Sequence, residues 1–469
     1  MALKVHNSFT RQKEDLVTLQ PGEVKMYVCG PNLYGPAHVG HAMSYVIFDT
    51  IRRYLEYRGY HVRHVQNFTD IEDRIIETAR AQGTTVQQLA DKYIARFYAE
   101  MDGLNVLRAH AHPRATEVIP KIIEIVQGLI AKGHAYEVDG DVYFRVTSFP
   151  AYGQLSRRTL DQMEAGARVE VDERKEHPMD FALWKAAKEG EPAWDSPWGK
   201  GRPGWHIECS AMSMQFLGEQ LDIHGGGHDV VFPHHENEIA QSEAYTGKSP
   251  FVRYWIHNAL LRLREDEEKM TRHLGNIVSV QEALQKYSAD GIRLFLLSSH
   301  YRSPLTWKDS SVRAAEQGVE RLRAALKGYA RGPEKSPGDP LSQQAEAARQ
   351  DFIVAMDDDF NSPRAMAQVY DLARVINQAR DSGMTAESLA YAQGILYELT
   401  QVLGLTMKGL AGPTEAEPFI SLLADVRNQL RAAKQWALAD QIRDQLAARG
   451  VVLEDGPEGT TWKYTTVKA

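Results

Sequence analysis

Along the first half of the chain, short strand-like apolar runs alternate with longer helix-like stripes. Lys25-Met-Tyr-Val-Cys29 reads as a short buried strand, and Gly30-Pro-Asn-Leu-Tyr-Gly-Pro36 after it as a turn-rich loop. Ile47, Ile51 and Leu55 recur at a spacing of four, which predicts a helix over about 40–58 with Gly59 as its stop. A second strand is expected over 60–68, and a helix opening at Thr69-Asp70. This is a β-loop-α-β unit of the size a parallel crossover needs. Ligands of such sheets bind at the carboxyl ends of the strands, where Cys29 and Thr69 fall.

Residues from about 110 to 200 read as an insertion that splits the sheet: a helix, a hairpin-like Asp139-Gly-Asp141, then a Pro/Trp/Lys-rich stretch up to Trp198. A second α/β segment follows, with Leu221-Asp-Ile-His224 as strand and a helix opening at Pro233. From Ala314 onward the pattern is amphipathic helix, broken by Pro/Gly-rich stretches over 332–340 and 409–418. The last piece reads helix, Val451-Val-Leu453 strand, turn, and a strand containing Trp462.

Composition narrows the class. A chain of 469 residues suggests about three domains and can bury a core without disulfides. Its 43% hydrophobic and 25% charged residues, with mean hydropathy -0.42, are those of a soluble globular protein. Lys+Arg 54 against Asp+Glu 62 leaves a net charge of -8. That excludes nucleic-acid binding by bulk positive charge and leaves local patches open. No apolar run approaches the ~18 residues of a membrane span, and the N-terminus has no signal-peptide core. Two cysteines, Cys29 and Cys209, make no disulfide framework, so a cytoplasmic protein is expected.

Several stretches carry candidate chemistry. In His38-Val-Gly-His41, two histidines sit where a loop enters a helix. There the free N–H groups and the positive dipole end favour an anion such as phosphate; two capping histidines are the plain alternative. In His234-His-Glu-Asn-Glu238, His234 and Glu238 are i and i+4 on one face, a spacing that suits a metal or an ordinary His–Glu pair equally. Gly225-Gly-Gly-His-Asp229 before it reads as a strand-to-helix loop that can lie against a nucleoside, with Asp229 accepting from a ribose hydroxyl. Cys29 and Cys209 read equally as small buried hydrophobes. Arg264-Glu-Asp-Glu-Glu-Lys-Met-Thr-Arg-His-Leu-Gly-Asn276 is a charged stretch whose plain reading is a solvated loop.

Taken in order, these motifs resemble the class I aminoacyl-tRNA synthetases and, within them, the cysteinyl-tRNA synthetases. His38-Val-Gly-His41 resembles the H-I-G-H signature, and Lys269-Met-Thr-Arg-His273 stands at the K-M-S-K-S position. Tyr27-Val-Cys-Gly-Pro31, Gly204-Trp-His-Ile-Glu-Cys-Ser-Ala-Met212 and Phe232-Pro-His-His-Glu-Asn-Glu238 resemble the cysteine-specific signatures. Leu297-Ser-Ser-His-Tyr-Arg-Ser-Pro304, Asp357-Asp-Asp-Phe-Asn361 and Trp436-Ala-Leu-Ala-Asp440 carry the resemblance almost to the C-terminus.

The resemblance implies an α/β fold: a split Rossmann-like parallel sheet with an inserted connective region, a helical bundle and a small α/β C-terminal module. The implied boundaries are 1–110 and 201–250 for the two catalytic halves and 111–200 for the insertion. They are 251–313 for a stem-contact region with the signature loop, 314–408 for the bundle and 419–469 for the anticodon module. It implies one Zn²⁺ on Cys29, Cys209, His234 and Glu238, and Mg²⁺ arriving with ATP. His38, His41, Lys269 and Arg272 would be catalytic and would bind ATP together with Gly225, Gly227 and Asp229. Gly30, Thr69, Trp205 and His224 would form the cysteine pocket. Arg431, Trp436, Asp440 and Asp455 would contact tRNA. The implied partners are ATP, L-cysteine and tRNA(Cys), with no membrane and a monomeric chain. The reaction implied is formation of cysteinyl adenylate and transfer of the cysteinyl group to the tRNA's terminal ribose.

This chain departs from the pattern at Asn32 and Gly35, and at Arg272 and His273, which replace the second lysine and last serine of K-M-S-K-S. Arginine keeps the charge and changes the donor geometry. Two other readings follow: a ligase joining activated cysteine to an amino-sugar, which would lack a full anticodon module, and a non-catalytic paralogue that binds zinc, cysteine or tRNA.

Overall fold

Four parallel strands make the central sheet, in the order Val252–Asn258, Leu221–Gly227, Glu23–Val28, His61–Gln66. The computed structural model describes residues 2–166, 173–262, 277–329, 336, 338–407, 417–447, 449, 451–456 and 459–464. From Glu23–Val28 the chain crosses through the Val39–Tyr57 helix to His61–Gln66 on one side, and its later strands lie on the other. The order therefore reverses between Glu23–Val28 and Leu221–Gly227, which opens a crevice at their carboxyl ends. Across that switch point Tyr27 faces His224 and Val28 faces Gly225, and Cys29 N–H donates to Gly225 O at 3.0 Å.

Both faces of the sheet are covered, and the carboxyl halves of its strands are mostly buried. Tyr27, Val65 and Trp255 join one core with Trp184 and Phe144 of the insertion and Ile207 and Met212 of the Trp205–Leu217 helix. On the other side the Val39–Tyr57 helix buries Val46, Ile47, Ile51, Tyr54 and Leu55. The insertion holds the Ile119–Ala131 helix and an antiparallel sheet of Ala135–Val138, Asp141–Phe144, Phe181–Ala186 and Gly201–Pro203, with Asp139 and Gly140 as the expected hairpin turn.

The structure corrects four expectations. The helix expected to open at Thr69-Asp70 runs Asp73–Ala81. Thr69 instead forms a bridge with Asn32, and the Asp70 carboxylate accepts from Thr116 N and Oγ1 at 3.1 and 2.7 Å, so neither caps a helix. Gly225–Gly227 are strand rather than loop, paired to Ile256–Asn258. A Cβ on Gly225 would lie 2.2 Å from the Phe48 ring, so the strand passes that helix only as glycine. The regular helix after Pro233 spans Glu236–Thr246, preceded by a wide turn over Val231–His235. The second catalytic half runs past 250, because Val252–Asn258 is an edge strand of the same sheet.

Behind the sheet, Ala289–Leu297 and Asp309–Ala325 lead into a bundle of Pro340–Asp357, Ser362–Asp381 and Ala386–Val402. Arg293 ties these parts together. Fully buried, it donates to Asp49 Oδ2 at 2.6 Å and to the carbonyls of Leu104 and Leu403 at 3.1 and 2.9 Å. The chain divides into two compact units, Met1–Leu326 with Arg331–Met407, and Lys327–Ala330 with Lys408–Ala469. In the second unit, helices Glu417–Ala432 and Trp436–Ala447 and the hairpin Val451–Gly456/Gly459–Tyr464 close over Ile420, Leu446 and Val451.

Candidate active site and metal centre

At the switch point a cleft of about 970 Å³ is lined by residues drawn from Cys29 to Ile277, and three walls shape it. The first wall is the loop after Glu23–Val28. Gly30 N–H donates to Asn67 Oδ1 at 2.8 Å, and a Cβ there would lie 1.6 Å from the Asn67 carbonyl oxygen. This close approach presses the Cys29–Asn32 loop against the end of the His61–Gln66 strand. Thr69 is held in that contact, its Oγ1 accepting from Asn67 Nδ2 at 3.3 Å.

The second wall is the start of the Val39–Tyr57 helix. His38 is its N-cap: His38 Nδ1 accepts from His41 N–H at 3.3 Å, and His41 Nδ1 accepts from His38 N–H at 3.4 Å. The two rings stack at 3.7 Å, and His38, Gly40 and His41 line the cleft. With Nδ1 accepting, each neutral ring carries its proton on Nε2 as a donor. The helix start thus combines imidazole donors with a positive dipole end, a setting for phosphate oxygens.

The third wall gathers the sulfur, nitrogen and carboxylate groups. Cys29 comes from the strand end, Cys209 from the Trp205–Leu217 helix, and His234 and Glu238 from the turn and first residues leading into Glu236–Thr246. One donor atom from each lies within 4.8 Å of all the others. His234 Nε2 is 3.4 Å from Cys209 Sγ and 3.1 Å from Glu238 Oε1, and Cys29 Sγ is 3.9 Å from the same oxygen. Donors around a tetrahedral zinc, with bonds of 2.0–2.3 Å, stand roughly 3.3–3.8 Å apart, so these four fit such an ion. A second set, Cys29, His224, His235 and Glu238, meets the same spacing. Cys29, Cys209 and His234 line the cleft, whereas His224, His235 and Glu238 are fully buried and absent from its lining, so the first set meets the cleft through three donors and the second through Cys29.

Electrostatics match the first set. Burial opposes charge on His234, but the Cys209 thiolate and Glu238 raise its imidazole to about 10. Glu238 is likewise held at about 2 against burial, by His224 and His234. The hydrogen bond from Cys29 brings Cys209 down to about 6, and the same contact with burial pushes the Cys29 thiol up. The pocket stabilises anionic sulfur and carboxylate beside a cation, as a divalent metal requires.

Several groups hold these donors, His224 from the expected cysteine pocket and three to which the sequence reading gave no role, His206, His235 and Glu236. His224 Nε2 sits 2.9 Å from Glu238 Oε2 and fixes the second carboxylate oxygen from behind. His224 therefore orients a candidate ligand rather than facing the cleft. His206 Nδ1 lies 3.1 Å from His234 Nδ1, and His235 Nε2 lies 3.2 Å from Cys29 Sγ. His206 stands three residues before Cys209 and His235 is half of a His-His pair, the one signal each carries in sequence. Glu236 accepts from Gly153 and Ser156 N–H at 2.9 and 2.8 Å, locking the insertion onto the ligand turn.

Of the other candidate residues, Trp205 lines the cleft and packs on the His234 ring at 4.6 Å. Gly227 and the exposed Asp229 line the opposite side, while Gly225 faces Phe48 instead. Lys269 and Arg272 lie outside the described residues. In the second unit Arg431 ends the Glu417–Ala432 helix. Trp436 and Asp440 lie one turn apart on the next helix, Trp436 56% exposed and Asp440 paired with Arg443 at 3.0 Å. Asp455 is in the Val451–Gly456 strand opposite Thr460.

The switch-point sheet with a histidine-capped helix at its mouth defines the catalytic domain of a class I aminoacyl-tRNA synthetase. In fold the chain is similar to a leucyl-tRNA synthetase of Agrobacterium radiobacter solved with tRNA, at 12% identity and TM-score 0.61 over 85% of this chain and 86% of that one. It is also similar to Mycobacterium tuberculosis methionyl-tRNA synthetase with methionyl-adenylate, at 15% and 0.58 over 86% and 94%. Family models match residues 15–317 as class I (C) catalytic domain, 351–408 as DALR domain and 421–462 as cysteinyl-tRNA ligase anticodon-binding domain. Curated cysteine–tRNA ligases of Dehalococcoides mccartyi and Carboxydothermus hydrogenoformans are 52% and 49% identical, each over 98% of this chain and at least 99% of their own. The chain belongs to the cysteine–tRNA ligase family. The match over 421–462 removes the ground for the amino-sugar ligase reading, which required an incomplete anticodon module.

Proposed function

We propose that this chain activates L-cysteine with ATP to cysteinyl adenylate and transfers the cysteinyl group to the 3′-terminal ribose of tRNA(Cys). One observation carries the reading: a four-donor thiolate, imidazole and carboxylate cluster opens into the cleft that also presents His38 and His41. Zinc bound by Cys29, Cys209, His234 and Glu238 would supply a soft coordination position that favours a thiolate over a hydroxyl.

Gly30, Thr69 and Trp205 shape the space around the substrate, with His224 holding Glu238 from behind. The cysteine carboxylate attacks the ATP α-phosphate and pyrophosphate departs. His38 and His41 donate to the phosphate oxygens as charge builds on them, and Asp229 accepts from the ribose. Lys269 and Arg272 neutralise the departing pyrophosphate, and magnesium arrives with ATP. The chemistry is displacement at phosphorus, so positioning and charge stabilisation carry it. The second unit reads the anticodon: Trp436 stacks on a base, Asp440 and Asp455 accept from base amino groups, and Arg431 holds phosphate. Every group named comes from one chain, which acts as a monomer in the cytoplasm.

Charging of total tRNA with cysteine, with serine as control, tests the reading. Charging with cysteine alone is expected. A protein that forms no cysteinyl-tRNA would leave the non-catalytic paralogue in its place.

A further inference from the structure

Two motifs of the sequence, over 297–304 and 357–361, have no part in the chemistry above, and they meet at Asp359. This carboxylate is fully buried. Its Oδ1 accepts from the Tyr301 hydroxyl at 2.7 Å and from His6 N–H at 2.8 Å, and its Oδ2 accepts from Arg302 Nε at 2.8 Å. Asp359 and Phe360 both have positive φ, 64° and 51°. Side chains seldom adopt that conformation in succession, and it persists only where the surroundings over-determine it. Here they do. Asp359 N–H donates to Lys4 O at 3.0 Å, the Phe360 ring meets Tyr54 edge-on at 6.3 Å, and the Ser362 hydroxyl donates to Leu297 O at 2.9 Å.

The turn that Asp359 clamps reaches the catalytic cleft. Val252–Asn258 is an edge strand, and past Asn258 the chain leaves the sheet. Ala259 N–H then donates to Tyr301 O at 2.8 Å, Leu261 and Arg262 pair with Leu305 and Thr306, and Arg262 O accepts from Trp307 N–H at 2.7 Å. Ala259, Leu260 and Leu261 line the cleft. They follow directly on Asn258, which pairs with Gly227 on the side that carries Asp229. This part of the wall hangs on the 300–307 turn, and the turn hangs on Asp359.

We infer that Asp359 is a positioning residue for ATP, holding the 259–261 wall of the cleft through Tyr301 and Arg302. The inference rests on the cysteine activation proposed above. A buried carboxylate suits the task, because one charged group takes donors from both the first strand and the turn, and charge-assisted bonds are the strong ones.

The test uses the full chain with Asp359→Asn and, separately, Tyr301→Phe. Asparagine tolerates positive φ and keeps an acceptor for Tyr301 and His6, but sets an amide donor against Arg302. Phenylalanine removes one bond and leaves the backbone contact with Ala259. In cysteine-dependent ATP–pyrophosphate exchange, Asp359→Asn is expected to raise the KM for ATP about tenfold and lower kcat about tenfold, together the ~10² cost of a small misplacement far from the chemistry. Tyr301→Phe should raise the KM for ATP about threefold, as loss of one hydrogen bond does. The KM for cysteine and the zinc content should be unchanged in both, because the donor cluster stands on other elements. Slower exchange with an unchanged KM for ATP, or an equal rise in both KM values, would mean that Asp359 only supports the fold, and overturns the inference. An unaltered KM for ATP in Tyr301→Phe overturns it too, whether or not Asp359→Asn folds. Absence of exchange in the unaltered protein would sink the activity reading instead. Calorimetric titration with ATP would then decide the wall, with weaker binding by both variants expected and equal binding overturning it.

Discussion

Replacing Arg293 by methionine tests how the catalytic helix is anchored. The guanidinium is fully buried and joins Asp49 of the Val39–Tyr57 helix to the carbonyls of Leu104, Asn105 and Leu403. Methionine fills the volume and makes none of these bonds. Asp49 would keep Arg53 at 2.9 Å and Leu107 N–H at 2.9 Å, and Asn105 O would keep Arg53 Nη2 at 2.8 Å. The carbonyls of Leu104 and Leu403 would lose this donor, at about 1–3 kcal/mol each if buried without another. Removing one partner of a buried, hydrogen-bonded ion pair costs about 3–5 kcal/mol in all, and these lost carbonyl contacts are part of that cost. Unfolding entropy of roughly 2.1 cal/mol/K per residue over a unit of about 400 residues converts this to a Tm lower by about 4–6 °C. Differential scanning calorimetry measures it, and Arg293→Lys, which keeps the charge, should fall between. The helix carries His38 and His41 at its far end, so the KM for ATP should rise as well. A Tm within about 1 °C of the parent would refute the idea that this arginine clamps the helix to the bundle.

Cys209→Ser should lose zinc on dialysis against a chelator and lose cysteine affinity while ATP still binds; retained stoichiometric zinc would count against Cys209 as a ligand. Burial holds the His112 imidazole at about 4, against 6.5 when free. The unfolded chain therefore binds more protons below pH 6.5. Stability should fall by about 3 kcal/mol as pH drops from 6.5 through 4, and His112→Phe should flatten that loss in Tm–pH scans; identical pH profiles would argue otherwise. Asp440 pairs with Arg443 on an exposed surface, a contact of little structural worth. Asp440→Ala should therefore slow charging and leave pyrophosphate exchange intact, whereas equal loss in both assays would remove it from anticodon recognition.

Much of the fold was legible because its signals are local. The spacing of Ile47, Ile51 and Leu55 marks a helix, and Asp139-Gly140 marks a hairpin turn, as the structure has them. The misplaced boundaries share a cause. Thr69-Asp70 looks like a helix cap, but its side chains serve Asn67 and Thr116, contacts no local pattern reveals. Gly225–Gly227 look like a loop because glycine is disfavoured in strands; only Phe48, far off in sequence, explains them. In the site, the i, i+4 spacing of His234 and Glu238 was readable, but its meeting with Cys29 and Cys209 came from resemblance alone. His206, His235 and the orienting role of His224 needed three-dimensional neighbours.

The central claim is that the donor cluster at the cleft selects the substrate by its sulfur. The most direct measurement is ATP–pyrophosphate exchange by the zinc-loaded protein with cysteine and with serine, compared as kcat/KM. Cysteine and serine differ by one atom, so a site bonding that atom should discriminate by at least about 10⁴. Cys209→Ser should collapse the ratio. Comparable exchange with both amino acids, or discrimination that survives loss of the metal, would contradict the account.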